Sequence, residues 1–476
     1  MPRTLALLCV AGFSAFLLKW YDAKARPKVS PALWIPSIWM LISASRPLAR
    51  WFSYGEDAES SLDQAVLGGL FLCGLIVLTR RRMRWATLLR ENVWLVLLLL
   101  YMLISVLWSD LPGTAFKRWI RELGALIMAL VVLTDRAPRQ AMLSVLRRVV
   151  YILIPLSLVL IKYFPDLGVA YGRWSGGLMW TGVTLQKNGL GRLCLIAMFF
   201  LIWTLTRRQL GRDVAVNKYQ TWAEVLLLLM TLWLLKGPTI QAYSATAVTS
   251  LAVGLITFGG LFAIKRMRQY HWSYGLLVVL VVAILNGFAM PIIKGRAQAA
   301  NEAAGANSAM GRDASFTGRT DVWRGLLPDL ESNLLLGVGF GSFWTPENRV
   351  MHDIGEAHNG YLDLSLELGL VGFVLLSMFL LSLCAKAIRA LVYDFDWASF
   401  VICSVLMVAI HNTTESSLNS FGSPLTALLI FLAISFRAAL QFPVKQVRPG
   451  GARTAGASES RPNSEFGPLP SVPCSS

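Results

Sequence analysis

The chain has 476 residues, of which 55% are hydrophobic and only 15% charged, and its mean hydropathy is +0.56. A soluble protein of this size cannot cover so much apolar surface, so the composition excludes a soluble fold and predicts an integral membrane protein. The net charge of +17 would suggest nucleic-acid binding in a soluble protein, but here basic loops explain it, and no nucleic-acid partner is predicted.

Apolar stretches of about 15–24 residues recur from end to end, which matches the thickness of a bilayer core near 30 Å. They predict an all-α polytopic membrane protein with 12 or 13 transmembrane helices. The lower number applies if residues 1–19 are re-entrant or lie at the interface. The predicted spans are 5–19, 31–47, 64–79, 92–108, 119–134, 146–163, 188–206, 222–235, 242–264, 272–291, 362–385, 397–411 and 424–440.

Lysine and arginine are concentrated in every second connection between these spans, which places those loops in the cytoplasm by the positive-inside rule. The basic connections include Arg80–Arg84, Arg136–Arg148, Arg207–Arg212, Lys265–Arg268 and Lys386–Arg389. The long connection at about 292–361 then lies on the periplasmic face. Loops of this length are uncommon in compact folds unless they carry function.

The pattern divides the chain into a membrane domain, residues 1–440, and a Pro/Gly/Ser-rich segment, 441–476, which we expect to be a disordered cytoplasmic tail. Within the long loop, Ala-rich 297–310 is a candidate surface helix and Asp321–Leu330 a second, amphipathic one. The sequence "LLGVGFGSFW" (335–344) indicates a glycine-broken return towards the membrane.

The six cysteines are scattered without a CxxC pair, so neither a disulfide framework nor a thiolate metal site is indicated. Only four histidines are present, which argues against metal catalysis by a histidine cluster. The sequence therefore predicts neither a metal nor a cofactor.

His358 stands at the start of a span, in "EAHNGYLDLSLELGLVGF" (356–373). A continuous helix from this point would put His358, Ser365, Gly369 and Gly372 on one stripe, and small residues on a stripe allow close helix packing. The imidazole would then lie at the outer membrane surface. The alternative is a histidine that only caps the helix.

Arginines on the outer side need an explanation because the positive-inside rule selects against them there. Arg312 and Arg319 lie in glycine-flanked turns, and Arg173 lies in "YGRWSGG". A guanidinium matches phosphate or carboxylate geometry, so with His358 these arginines suggest an anionic substrate at the outer leaflet. Solvated loop arginines are the alternative for each of them.

Two further pairs precede or follow a span on the same side. Lys187 and Asn188 lie just before one span, where a snorkelling lysine and an N-cap asparagine explain them equally well. The pair His411-Asn412, with Glu415 close behind it at the outer end of another span, either supports the site or belongs to a plain loop.

The motif around His358 resembles the His-[Asn/Ser/Gln]-x9-Gly-x-x-Gly signature of O-antigen ligases, here at His358, Asn359, Gly369 and Gly372. The next residue, Phe373, departs from the Gly, Thr or Tyr usual there. The sequences "FTGRTDVWRGLLPDLESNLLLGVGFGSFW", "LQKNGLG" and "WIPSIWMLISASRP" are more similar to exopolysaccharide polymerisation proteins of the ExoQ type. The resemblance extends over roughly residues 30–440.

The resemblance implies a metal-independent glycosyltransferase in the bacterial inner membrane. Its donor would be a glycan on undecaprenyl diphosphate, its acceptor a glycan or lipid A-core, and its neighbours membrane lipids and polysaccharide assembly proteins. His358 would be the base or orienting group for the acceptor hydroxyl. Arg319 or Arg312, with Arg173, would bind the diphosphate, assisted by Lys187.

Two other classes of function remain as rivals. A transporter of polysaccharide or lipid-linked glycan would need ionisable residues near mid-bilayer or an internal repeat. A non-catalytic assembly component would tolerate loss of His358. Between ligation and polymerisation of glycan the sequence does not decide.

Overall fold

A computed structural model describes residues 2–24, 29–52, 61–172, 176–211, 218–239, 242–303 and 319–441. In the first half these residues form nine helices and a two-stranded antiparallel hairpin. They are α1 (Arg3–Lys24), α2 (Trp34–Ser43), α3 (Leu48–Trp51), α4 (Ser61–Thr79), α5 (Trp85–Glu91), α6 (Val93–Ile104), α7 (Pro112–Leu133), α8 (Pro138–Tyr163), α9 (Pro165–Gly168), β1 (Val169–Tyr171) and β2 (Leu178–Trp180).

Nine further helices follow in the second half of the described chain. They are α10 (Lys187–Gln209), α11 (Lys218–Lys236), α12 (Ala245–Met267), α13 (Gly275–Ala303), α14 (Arg319–Ser332), α15 (Pro346–Met351), α16 (Gly360–Ala390), α17 (Phe395–His411) and α18 (Pro424–Gln441). Single 3₁₀ turns occupy Pro31–Leu33, Ser105–Trp108 and Tyr270–Tyr274.

Each of the 13 predicted spans overlaps one of these helices. Seven described helices are long and apolar enough to cross a membrane, and α5 with the segment Val93–Trp108, bent by 88°, makes an eighth if counted as one span. The all-α polytopic fold is therefore confirmed. The number of 12 or 13 spans stays a prediction, because it also counts short helices and the more polar α7 and α11.

Two arginine–aspartate pairs mark one end of the helix bundle. Arg139 contacts Asp394 at 2.5 Å, and Arg207 contacts Asp396 at 3.3 Å, which defines an arginine-rich end. Because α10 and α17 are antiparallel, their other ends, near Asn188 and beyond His411, meet at the opposite end of the bundle. We call this the site end.

Helix α16 is broken at Gly369, whose φ of 61° lies in the left-handed region. The break frees the amides of Leu370 and Val371, which donate to the carbonyls of Leu334 (2.8 Å) and Leu335 (3.3 Å). A Cβ on Gly369 would lie 2.3 Å from the carbonyl oxygen of Leu335. The glycine is therefore required by backbone conformation and close approach.

This break overturns the predicted stripe of His358, Ser365, Gly369 and Gly372. The stripe assumes one continuous helix, whereas His358 precedes the helix and Gly369 interrupts it. Gly372 faces its own helix, since a Cβ there would lie 2.2 Å from Cβ of Leu368. The two glycines thus shape the break rather than an interface between two helices.

The glycine-rich segment 335–344 lies against this break, as its composition indicates. The amide of Gly339 donates to the carbonyl of Glu367 at 2.9 Å, and Phe340, Phe343 and Trp344 are buried. The predicted amphipathic helix at Asp321–Leu330 is present as α14. Residues 297–303 continue α13 rather than starting a separate helix. The predicted tail, like Arg173 and Arg312, lies outside the described residues.

Candidate functional site

His358 lies immediately before α16 and has a left-handed backbone, with φ of 51°. The next residue, Asn359, caps the helix, because its side-chain oxygen accepts from the amides of Tyr361 (3.0 Å) and Leu362 (2.9 Å). Left-handed backbone in a residue other than glycine is uncommon and costs free energy. The strain persists because the chain on both sides of His358 is held in place.

The side-chain amide of Asn359 joins three distant parts of the chain. Its nitrogen donates to the carbonyls of Gly287 in α13 (2.8 Å) and Thr413 after α17 (2.9 Å). The amide of Gly360 also donates to the carbonyls of Asn412 and Glu415, at 3.0 and 3.1 Å. An aspartate in place of Asn359 could accept hydrogen bonds but not donate them, and a leucine could do neither. Both sets of hydrogen bonds therefore require an amide side chain.

The residues before His358 are fixed by a second set of hydrogen bonds. Asp363 accepts from the amide of Ala357 at 3.0 Å, from the indole of Trp344 at 2.8 Å and from the hydroxyl of Ser416. The indole of Trp323 donates to the carbonyl of Ala357 at 2.9 Å. Asp363, an acid in the first turn of an apolar helix, therefore holds the turn that carries His358 in place.

Around His358 the structure gathers two glutamates and one arginine. The Nδ1 atom of His358 lies 3.1 Å from Oε1 of Glu356 and 4.0 Å from Oε2 of Glu415. Oε1 of Glu415 in turn accepts from Nη2 of Arg319 at 2.5 Å and from Nδ2 of Asn188 at 2.6 Å. The starts of α10 and α14, the turn before α16 and the loop after α17 therefore each contribute to one cluster at the site end.

The carboxylates beside His358 and the burial of its ring act on its pKa in opposite directions. Burial lowers the pKa of His358, but the carboxylates of Glu356 and Glu415 outweigh it, so the pKa lies above its usual value. Burial likewise opposes ionisation of Glu356, yet His358 holds its pKa below the usual range. Burial raises the pKa of Glu415, with Arg319 acting against this.

Arg192 is a cluster residue that the sequence did not single out. Its Nη1 donates to the carbonyl of Ser416 at 2.9 Å, and its charge acts on Glu356 and Glu415. The feature of the sequence that could have identified Arg192 is its position four residues after Asn188, which places both residues on the same face of α10. Glu356 was also passed over, although it lies two residues before His358.

His411 is completely buried at the end of α17, and the positive charges of Arg192 and Arg319 act on its ring. Neither ring nitrogen has a hydrogen-bond partner among the described residues. Lys187 begins α10 and is half-buried, and it makes no hydrogen bond or ion pair with a described residue. The functions predicted for His411 and Lys187 stay predictions, as do those of Arg173 and Arg312.

Glu356, His358 and Glu415 have ligand atoms within 4.8 Å of one another, close enough for one metal ion. Oε1 of Glu415, however, already accepts from two donors, and one of these is the cation Arg319. A dication placed among these residues would be repelled by that guanidinium. The donor set therefore fits a metal poorly.

Comparison with known proteins places these residues in context. Residues 230–377 match the O-antigen ligase family, a segment that contains Arg319, Glu356 and His358 but not Asn188 or Glu415. The exopolysaccharide production protein ExoQ of Rhizobium meliloti (strain 1021) is 23% identical over 331 residues, covering 66% of this chain and 69% of that protein. These two matches support an O-antigen ligase or ExoQ-like family for this multi-pass membrane protein.

Proposed function

We propose that this protein is a glycosyltransferase that transfers or polymerises glycan carried on undecaprenyl diphosphate, at the periplasmic face of the bacterial inner membrane. The observation that carries the proposal is the contact of His358 with Glu356 and Glu415 beside Arg319 and Arg192. A base and cations at one end of a membrane bundle suit a reaction between a sugar hydroxyl and a lipid diphosphate.

In the proposed reaction the acceptor hydroxyl attacks the anomeric carbon of the donor sugar while His358 takes the hydroxyl proton. The bond between that carbon and the diphosphate oxygen breaks, and the lipid diphosphate leaves with the electron pair. Because Nδ1 of His358 is turned towards the glutamates, Nε2 is the nitrogen left for the acceptor. Since the diphosphate is already an activated leaving group, the reaction balances without ATP or a metal ion.

The charge that develops on the leaving diphosphate needs cations, and Arg319 and Arg192 are the described candidates. Side-chain rotation of Arg319 would move its guanidinium from Glu415 to a substrate phosphate. Glu415 would then be left to His358, which favours the protonated ring that forms during transfer. The imidazole of His411 has no hydrogen-bond partner among the described residues, but it is completely buried, so contact with the donor would require the surrounding chain to move.

The periplasmic orientation rests on the Lys/Arg-rich connections between alternate predicted spans. Arg139 and Arg207 lie at the arginine-rich end, with the Lys/Arg-rich connections, and the positive-inside rule assigns that end to the cytoplasm. His358 lies at the other end. The proposal fails if topology mapping finds residue 358 on the cytoplasmic side.

The test in cells is to replace His358 by alanine and to analyse the lipid-linked sugars that accumulate. Long unattached chains would identify a ligase, and single repeat units a polymerase. Glycan made at the normal level would contradict both and favour a non-catalytic assembly component. Lipid-linked glycan retained on the cytoplasmic face would favour a transporter.

Arg319→Lys is expected to lower kcat by about 10- to 100-fold. Lysine keeps the charge but cannot form bidentate hydrogen bonds to a carboxylate or phosphate. The measurement is single-turnover transfer by the purified protein in nanodiscs. Arg349→Lys, an exposed change in α15, is the matched control and should be neutral. Normal kcat in Arg319→Lys would remove Arg319 from the diphosphate site.

Glu356→Gln is expected to shift the acidic limb of kcat/KM to lower pH. The active base is the neutral imidazole, and Glu356 helps to keep its pKa above the usual value, so loss of this carboxylate lets His358 deprotonate at lower pH. The pH profile of transfer is the measurement, and Glu331→Gln, paired with exposed Arg296, is the control. An unmoved limb would show that Glu356 does not act through His358.

A further inference from the structure

Arg46 follows α2 and is buried, with only 5% of its surface exposed. Its guanidinium donates to four backbone carbonyls, those of Gly182 at 2.8 Å, Thr184 at 3.1 Å, Val183 at 3.4 Å and Leu167. Its backbone amide also donates to the carbonyl of Val183, at 2.8 Å. One residue therefore binds two segments that lie more than 100 residues further along the chain.

Three of these carbonyls belong to residues 181–184, which we call the α10 entry turn because α10 begins shortly after it. Within the turn the amide of Thr184 donates to the carbonyl of Thr181 at 2.9 Å. The hydroxyl of Thr184 donates to the carbonyls of Thr181 (2.8 Å) and Gln186 (2.9 Å). A Cβ on Gly189, in the first turn of α10, would lie 3.0 Å from the side chain of Thr184. The entry turn and the start of α10 are therefore in close contact, and a shift of one displaces the other.

The chemistry at Arg46 requires a guanidinium. The carbonyls of Gly182 and Thr184 both accept from Nη2, so their negative ends converge on one place. Arginine offers five N–H donors in a planar fork, whereas lysine offers its donors from a single nitrogen. The guanidinium also lies 5.0 Å from the ring centre of Trp51, which favours a cation there. Lysine would keep the charge and lose most of these contacts.

The start of α10 in turn holds the loop after α17. Asn188 donates from Nδ2 to Oε1 of Glu415 at 2.6 Å, and one turn later Arg192 donates to the carbonyl of Ser416 at 2.9 Å. The same Glu415 lies 4.0 Å from Nδ1 of His358. A continuous series of contacts therefore runs from Arg46 through the entry turn and α10 to the His358 cluster.

We propose that Arg46 is a positioning residue for the transfer reaction. It fixes the α10 entry turn, and thereby holds Asn188 and Arg192 against residues 412–418, which we call the Glu415 loop. Arg46 acts through these residues and not by contact with the reacting groups. The role in transfer rests on the proposed function, whereas the mechanical link between the two segments does not.

Displacement of α10 would change the cluster at Glu415. This carboxylate is 2% exposed, and its Oε1 accepts from both Asn188 and Arg319. A buried carboxylate that loses one donor is destabilised and moves towards its remaining partners. Because transfer depends on the geometry of bound groups, a shift of about 1 Å slows it strongly.

The first test is amide hydrogen exchange, measured by mass spectrometry on the full-length protein in nanodiscs, which requires no transfer activity. In Arg46→Lys, exchange should rise in residues 181–191. It should also rise in the Glu415 loop by about fivefold, the equilibrium factor that one hydrogen bond contributes. Unchanged exchange in the Glu415 loop would overturn the proposal, because Arg46 would then stabilise only its own surroundings.

The second test is the rate of single-turnover transfer. Arg46→Lys is expected to lower it by about 10- to 100-fold. Combined with Asn188→Ala, the loss should be smaller than the product of the two separate losses, since both changes weaken the same link. A normal rate, or losses that simply multiply, would overturn the positioning role. A wild type that transfers no glycan would instead refute the proposed function, and the exchange experiment would still decide the mechanical link.

Arg81→Lys is the matched control. Arg81 is half-buried at the arginine-rich end, and its guanidinium donates to the carbonyl of Val131 at 2.8 Å and to the hydroxyl of Thr134 at 3.0 Å. The substitution should leave exchange in the Glu415 loop and the transfer rate unchanged. Equal effects of Arg81→Lys and Arg46→Lys on the loop would mean general destabilisation and overturn the proposal.

Thr184→Val tests the same link if Arg46→Lys does not fold. It removes the hydroxyl that fastens the entry turn and leaves Arg46 in place. Exchange in the Glu415 loop should rise in the same direction as in Arg46→Lys, by a smaller factor. An unaltered loop in Thr184→Val would contradict the proposed link between the entry turn and Glu415.

Discussion

His358→Ala is expected to lower the rate of glycan transfer about 100- to 10,000-fold, the usual contribution of a positioned general base. Without the imidazole no base takes the proton as the acceptor hydroxyl attacks. A hydroxyl that keeps its proton is a poor nucleophile. Donor binding should be nearly unchanged, because the proposed diphosphate contacts come from Arg319 and Arg192. The measurement is single-turnover transfer, with donor binding determined separately.

The matched control is His271→Ala, which removes an exposed imidazole from the 3₁₀ turn between α12 and α13 at the arginine-rich end. It should transfer glycan at the wild-type rate. If His358→Ala also does so, the base is another group and the proposed reaction is wrong. If it binds donor much more weakly, His358 acts in binding rather than in proton transfer.

Gly369→Ala is expected to reduce the free energy of unfolding by at least about 2 kcal/mol, because a left-handed residue other than glycine is strained and its Cβ would clash with backbone. The clash is severe, since the Cβ would lie 2.3 Å from the carbonyl oxygen of Leu335. We expect a lower Tm in detergent and partial loss of the folded protein. Relief of the clash would separate the 334–339 segment from α16.

The control for this variant is Gly260→Ala in α12, where an added Cβ meets no atom within 4 Å. Alanine favours a helix over glycine, so this change should be neutral or slightly stabilising. Equal Tm values for the two variants would contradict the close approach at Gly369. A stable Gly369→Ala protein with normal transfer would show that the break is dispensable.

The helices were predictable because a bilayer demands long apolar segments, and each predicted span overlaps a helix. The cap at Asn359 was also within reach, since asparagine before an apolar run is a common helix start. The break at Gly369 was not. It depends on the carbonyls of Leu334 and Leu335, which approach from a segment more than 30 residues earlier and leave no local signal.

The candidate site was predicted in part for the same reason. His358 and Asn188 were recognisable from their positions beside spans, and Arg319 from its glycine-flanked turn on the predicted outer side. The structure brings the three together through Glu415. Arg192 was missed because it lies inside the first turns of α10, where a basic residue resembles any other interfacial arginine. Its proximity to Glu415 follows from the packing of α10 against the end of α17, which sequence spacing does not reveal.

The network around Asn359 has a consequence for biosynthesis. Its amide joins the carbonyl of Gly287 to that of Thr413, and Glu415 follows only two residues later. A ribosome-bound chain that has been synthesised only up to α16 thus still lacks Glu415 of the His358 cluster and the Thr413 carbonyl that accepts from Asn359. Under the proposed reaction, a chain that ends before Glu415 would therefore be unable to transfer glycan from its lipid carrier.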